Sequence, residues 1–227
     1  MRVSLAEIDT TMQKAAVALG LGLGLGVEAG RAAVAMAAAN LDPAPAFADA
    51  FDALGGGESC GFDPLQAIQG DFAPTRDGRH LSALLAAPSI CDLLALGAAD
   101  GPITVRAVDV PIVVLMAVLS QTGDASHCIR VAWRGPNEGS AICGGNGLRF
   151  EEVGGGMASG PADISIERLS ASPERTPDRA PERIFGEHVD VDDEAWRRLT
   201  GHADKCLVAG TEASRLTEAG AGLSDED

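Results

Sequence analysis

"CIRVAWRGPNEGSAICGGNGLRFEEV", residues 128–153, is the stretch on which the reading of the fold turns. Ile129, Val131 and Trp133 alternate with Cys128, Arg130 and Ala132, the two-residue period of a strand with unlike faces. "GGNG" at 144–147 puts an Asn-Gly step between two such runs, a strong hairpin signal. On either side, "ITVRAV", "PIVVLMAVL" and "ADISIERL" are short, apolar and bounded by Gly, Pro or Asp, and read as further strands. Their close spacing leaves no room for the helices that parallel neighbours require, so a mainly antiparallel sheet is expected.

Upstream the period changes. Ser4 and Glu7 have capping-box spacing. Leu5, Ile8, Met12, Ala15, Ala16 and Leu19 then recur on one helical face. "GLGLGLG" (20–26) should interrupt that helix, because each glycine costs about 1 kcal/mol relative to alanine inside one. An alanine-rich second helix is expected from about Val27 to Asn40, its small side chains packing closely on the first. A short helix near 46–54 follows "LDPAPAF". Residues 55–80 show no sustained period and read as an ordered loop region. Leu81 to Ala98 reads as helical, divided in two by Pro88. Near the other end, "SASPERTPDRAPER" (170–183) reads as an exposed insertion. A closing helix over about 192–199 is anchored by Trp196, with Asp190, Asp192, Asp193 and Glu194 at its positive end. The expected fold is α+β: a helical layer over 1–100, then a mainly antiparallel sheet with a C-terminal helix and tail over 101–227. The two parts are expected to form one compact domain.

The chain has 227 residues, 46% of them apolar and 22% charged, enough to bury a substantial core without disulfides or metals. Seventeen Lys and Arg against thirty-three Asp and Glu leave a formal charge of −16. Such a surface repels phosphate backbones and anionic lipid, and only 4% of residues are aromatic, with no tyrosine on which bases could stack. No nucleic-acid or membrane partner is therefore expected. The longest apolar run, nine residues at 111–119, is too short to cross a bilayer. Glu7 and Asp9 stand where a signal peptide would be basic and then apolar. The five cysteines (Cys60, Cys91, Cys128, Cys143 and Cys206) are odd in number and widely spaced, without a C-x-x-C. Free thiols and a cytoplasmic address are the corresponding expectation.

No stretch names a reaction. Gly24, Gly26 and Ala29 fit the loose G-x-G-x-x-A pattern of a dinucleotide turn, but a capped helix precedes them where that turn needs a buried strand. No two of His80, His127, His188 and His202 lie three or four residues apart, so no local metal pair forms, and neither a metal nor a cofactor is expected. His127 and Cys128 should face opposite ways, whereas Cys60 and His80 could meet across a loop. The pairs Glu151–Glu152 and Asp192–Asp193 are adjacent and look exposed, a poor arrangement for acid–base work. The tail "GTEASRLTEAGAGLSDED" (210–227) offers more. Ser214 and Arg215 can donate to a carboxylate, Glu212 can accept, and Gly220 and Gly222 can bring backbone N–H groups close to a ligand. With Arg31, these residues are the candidate ligand site, and the tail is expected to dock through about Leu223.

"VSLAEI" at the start and "EASRLTEAGAGLSDED" at the end together resemble an uncharacterised bacterial family of similar length, a domain of unknown function. That resemblance implies no activity. "VSLAEI", "AVALGLG" and "EAGRAAVAMAAANLD" resemble the opening helical pair of the malate and L-lactate dehydrogenase family. That family continues with an Asp and a Ser-His-Gly sequence. Here Asp42-Pro43-Ala44-Pro45 follows, so no site is carried over. The function expected is a small-ligand-binding or partner-binding accessory protein of small-molecule metabolism, with self-association into a homo-oligomer left open. The alternative is a small-molecule enzyme whose active site is assembled from scattered residues, the Glu-Ala-Ser-Arg segment at 212–215 among them.

Overall fold

The capping box at Ser4 forms as its spacing requires. The Ser4 hydroxyl accepts the Glu7 N–H at 3.1 Å, and the Glu7 carboxylate accepts the Ser4 N–H at 2.7 Å. We describe a computed structural model covering residues 1–97, 101–122, 128–144, 147–153, 160–169 and 188–206. The expectations placed on the 170–183 insertion, on His127 and on the tail from 210, with Glu212, Ser214, Arg215, Gly220 and Gly222, lie outside these residues.

The chain order is β1 (Arg2–Ser4), α1 (Leu5–Ala18), α2 (Leu23–Ala38), α3 (Ala44–Gly55), β2 (Ser59–Cys60), α4 (Pro64–Ala67), β3 (Asp71–Phe72), β4 (His80–Leu81), α5 (Ala83–Leu96), β5 (Ile103–Val108) and α6 (Pro111–Gln121). Then come β6 (Cys128–Arg134), β7 (Gly139–Gly144), β8 (Gly147–Val153), β9 (Ala162–Leu169), β10 (His188–Asp190) and α7 (Asp193–Ala203). The architecture is α+β, with helices leading, a mainly antiparallel sheet following, and α7 closing.

The main sheet has the order β2-β4-β5-β9-β6-β7-β8, with β3 alongside β5. From β5 through β9, β6, β7 and β8 every pairing is antiparallel. Ile129, Val131 and Trp133 are buried on the core face. On the other face Arg130 reaches Glu151 at 2.8 Å and Glu167 at 3.0 Å. At one end the sheet turns parallel: β2 with β4, β4 with β5, and β3 with β5. The 55–80 region therefore holds three two-residue strands and one helical turn, too short to show a period. Helix α5 is the crossover that makes the parallel β4–β5 pair possible.

Three further expectations need correction. "PIVVLMAVL" is not a strand but helix α6, with Pro111 in its first turn. Ile112 through Leu119 are all buried, so no polar face marks the helical period. It lies against α2, α5 and the strands β6 and β7. Pro88 does not divide α5, which runs through it. Buried Leu84, Ala86, Ala87 and Ile90 hold that helix against the core at the cost of one backbone hydrogen bond. The glycine-rich break is confined to residues before Leu23, so Gly24 and Gly26 lie inside α2. A Cβ on Gly26 would stand 3.2 Å from the Gln13 backbone, and one on Gly30 would stand 2.1 Å from Asp9 Oδ1. These glycines let α1 and α2 approach closely.

One continuous apolar core joins the helical and sheet parts, from Val3 to Ala203. Helix α7 is capped by Asp192, whose carboxylate accepts the Ala195 N–H at 2.8 Å, and Trp196 is buried as its anchor. Among the described residues no helix is long and apolar enough to cross a membrane.

Candidate functional site

Strand β5 ends irregularly. Its register against β9 shifts between Val105 and Val108, and Ala107 sits at φ 51°, a left-handed conformation that costs a residue with a Cβ about 1–2 kcal/mol. The Asp163 carboxylate holds this kink by accepting the Ala107 N–H at 2.8 Å. Two residues later comes Asp109. Its main chain still follows the parallel pair, donating to the Leu81 carbonyl at 3.0 Å. Its side chain is buried beneath the N-termini of α5 and α6.

Three donors converge on that carboxylate. The Ser59 hydroxyl donates to Oδ2 at 2.7 Å, and the Ala83 and Val110 N–H groups donate to Oδ1 at 2.9 and 2.7 Å. Burial pushes the carboxyl above its ordinary range, while these hydrogen bonds and the nearby His80 ring pull it back part of the way. Register puts Ser59 opposite His80. Ser59, Ser82 and Asp109 are three of the five buried polar side chains among the described residues. Ser82 Oγ and His80 Nδ1 are buried without a hydrogen-bond partner. A polar nest therefore sits at the carboxyl ends of two parallel strands, the position where open sheets with crossover helices receive ligands.

The nest opens into a cleft of about 800 Å³. Its apolar walls come from Met36 of α2, Pro45, Ala46 and Ala53 of α3, Val110 and Ile112 at the start of α6, and Pro161 before β9. Among the described residues its charged groups are Asp42, Asp49, Asp52, Glu58 and Asp109 against one arginine, Arg198 of α7. Arg198 is already engaged. It donates to Asp49 at 2.8 Å and to Asp52 through Nε at 2.7 Å. His202 Nε2 lies 2.6 Å from the other oxygen of Asp52. Burial works to raise the Asp52 carboxyl, but His202 and Arg198 outweigh it and hold it below the ordinary range. Asp42 is a positioning group: it accepts the Ala44 N–H at 2.9 Å and the Asp192 N–H at 2.7 Å, tying α3 to the start of α7. Glu58 makes no side-chain hydrogen bond or ion pair among the described residues.

The anticipated residues are placed differently. Arg31 is not in the cleft; its guanidinium is exposed on α2 and pairs with Glu28 at 2.7 Å. Cys60 and His80 do not form a pair, because Cys60 is in register with Leu81 and thus faces away from His80. None of the five thiols is in a disulfide, and Cys60, Cys91, Cys128 and Cys143 are buried. Gly22 and Gly24 line a second hollow of about 430 Å³ with Glu28, Cys91 and Asp92. Among the described residues its lining carries two carboxylates, and the neighbouring Arg31 is taken up by Glu28, so nothing there is free to hold a pyrophosphate. Burial, with Glu28 and Asp92 adding to it, pushes the Cys91 thiol up to about 12, which leaves it inert. Among the described residues no cluster of three or more metal-ligating side chains occurs.

Asp109, Ser59, Glu58, Asp52 and Arg198 were not anticipated. "VDVP" carried a signal for Asp109, an acidic residue at a strand end two residues before a proline that opens a helix. Reading α6 as a strand hid it. Compared with known protein families, curated proteins and solved structures, the chain matches none.

Proposed function

We propose that the protein binds a small organic molecule in the cleft at the carboxyl ends of β4 and β5. One observation carries this reading: an open cleft of about 800 Å³ joins apolar walls to a few convergent charged groups. Small-molecule sites commonly have that volume and that mixture. A cytoplasmic accessory role in small-molecule metabolism, without nucleic-acid partners, belongs to the same proposal. Its support is the −16 charge and five cysteines without paired spacing.

The test uses Ala53, a partly exposed residue of α3 on the cleft wall. Ala53→Trp projects an indole ring into the cleft and obstructs it. A small-molecule library is screened by thermal unfolding against the wild type and this variant. A ligand at a hundred times its dissociation constant adds about 2.7 kcal/mol. Compounds that stabilise the wild type but not Ala53→Trp support the proposal; equal stabilisation of both contradicts it.

Asp109 favours a second reading, an enzyme acting on the same ligand. A buried carboxyl with raised proton affinity is suited to general acid–base work. Recovery of the bound compound decides between the two. An unchanged compound supports binding alone. Conversion that Asp109→Asn stops even when the compound is supplied at saturation supports catalysis.

A further inference from the structure

We infer, building on the small-molecule reading above, that the ligand of this cleft carries a primary ammonium group seated against Glu58, His80 and Asp109. The inference comes from counting unfilled acceptors. A carboxylate offers about four lone-pair positions. Asp109 fills three of them with the Ser59, Ala83 and Val110 donors and keeps one on Oδ2. His80 lines the cleft, and its Nδ1 has no hydrogen-bond partner but is covered by protein, so a turn of the ring brings that acceptor, in the Nε2–H tautomer, to a ligand. Glu58 presents a carboxylate to the same cleft with no partner among the described residues. The backbone links the last two, since the His80 N–H donates to the Glu58 carbonyl at 3.1 Å.

Three acceptor groups of the cleft, Glu58, His80 and Asp109, therefore lack a full set of protein donors, and a primary ammonium has three N–H donors to share among them. A hydroxyl has one donor, and a quaternary ammonium has none. An anion meets the opposite situation. The cleft's arginine is already held by Asp49 and Asp52, and the −16 charge of the chain draws cations and repels anions. Met36, Val110 and Ile112 offer an apolar wall to the carbon body of such an amine.

The experiment titrates the full chain calorimetrically with a panel of primary amines: aliphatic, aromatic and diamino. Each amine is matched with the alcohol, the trimethylammonium compound and the carboxylate of the same carbon body. At least one amine should bind about tenfold or more tightly than each of its matched compounds, the scale of one charge-assisted hydrogen bond. Glu58→Gln and His80→Phe, shown to be folded by their unfolding transitions, should each weaken that amine about tenfold and leave the alcohol's affinity unchanged. Affinity for alcohols or carboxylates equal to that for the amines overturns the inference. So does amine binding that neither variant weakens. If only neutral or anionic compounds occupy the cleft, this inference fails and the small-molecule reading survives. If no probe binds and no library compound distinguishes the wild type from Ala53→Trp, both fail.

Discussion

Asp109 and Asp52 line the same cleft, and their surroundings pull them in opposite directions. Burial raises the Asp109 carboxyl, so the folded state holds that proton more tightly than the unfolded state, where the group titrates near about 3.9. Its contribution to stability is complete below that value and is lost as pH rises through the folded pKa. The wild type should therefore lose stability relative to Asp109→Asn as pH rises from about 4. Asp52 behaves oppositely, because hydrogen bonds from His202 and Arg198 hold its carboxyl low against the effect of burial. Its contribution is present above about 3.9 and is lost on acidification, so the wild type should gain on Asp52→Asn as pH rises through that region. Denaturant melts of both variants across pH check the two signs together; a shared sign would contradict the environments described. Asp109→Ala strands three donors and should cost about 3 kcal/mol, whereas Asp109→Asn keeps the shape and one acceptor and should cost about 1 kcal/mol. At this scale the sequence was least informative. His80 was recognised only as a partner for Cys60, and strand register turned it toward Ser59 and Asp109 instead. Asp52 and Arg198 gain meaning from each other across 146 residues of chain, and Glu58 from strands too short to be foreseen.

Helices α1 and α2 were legible because capping, alanine content and spacing all agreed. Their packing gives a graded prediction. A Cβ at Gly24 meets nothing within 4 Å, so Gly24→Ala should stabilise the protein by up to about 1 kcal/mol through helix propensity alone. At Gly26 the same methyl stands 3.2 Å from the Gln13 backbone, and the gain should vanish. At Gly30 it stands 2.1 Å from Asp9 Oδ1, whose carboxylate also holds Gln13, so Gly30→Ala should destabilise. Three thermal melts test the order Gly24, Gly26, Gly30; equal effects would mean the two helices do not approach closely. Helix α6 was misread for a physical reason. A helix buried on every side shows no period, and nine consecutive β-branched and apolar residues suit a strand equally well. The two-residue strands β2, β3 and β4 were invisible for the opposite reason, since two residues carry no period at all. Without them the parallel end of the sheet, and the site it builds, could not be foreseen.

For the molecule as a whole, the α+β layout and the antiparallel run from β6 to β9 followed from alternation and turn residues. The strand order did not, because it depends on α5 acting as a crossover and α6 acting as a core. That topology places α3, the starts of α5 and α6, and α7 around one acidic cleft. The −16 charge extends the same preference to the whole surface, so binding of a cationic ligand should weaken as salt is raised from 0.01 to 0.5 M, readable by titration; affinity independent of salt would show that charge contributes little. The most direct test of the cleft as the functional site is amide chemical-shift mapping of the full chain during titration with a compound found in the thermal screen. The expected result is a set of shifts concentrated at residues 45–58, 80–83, 109–112 and 198, absent in Ala53→Trp. Shifts that cluster elsewhere and leave those amides unmoved would contradict it.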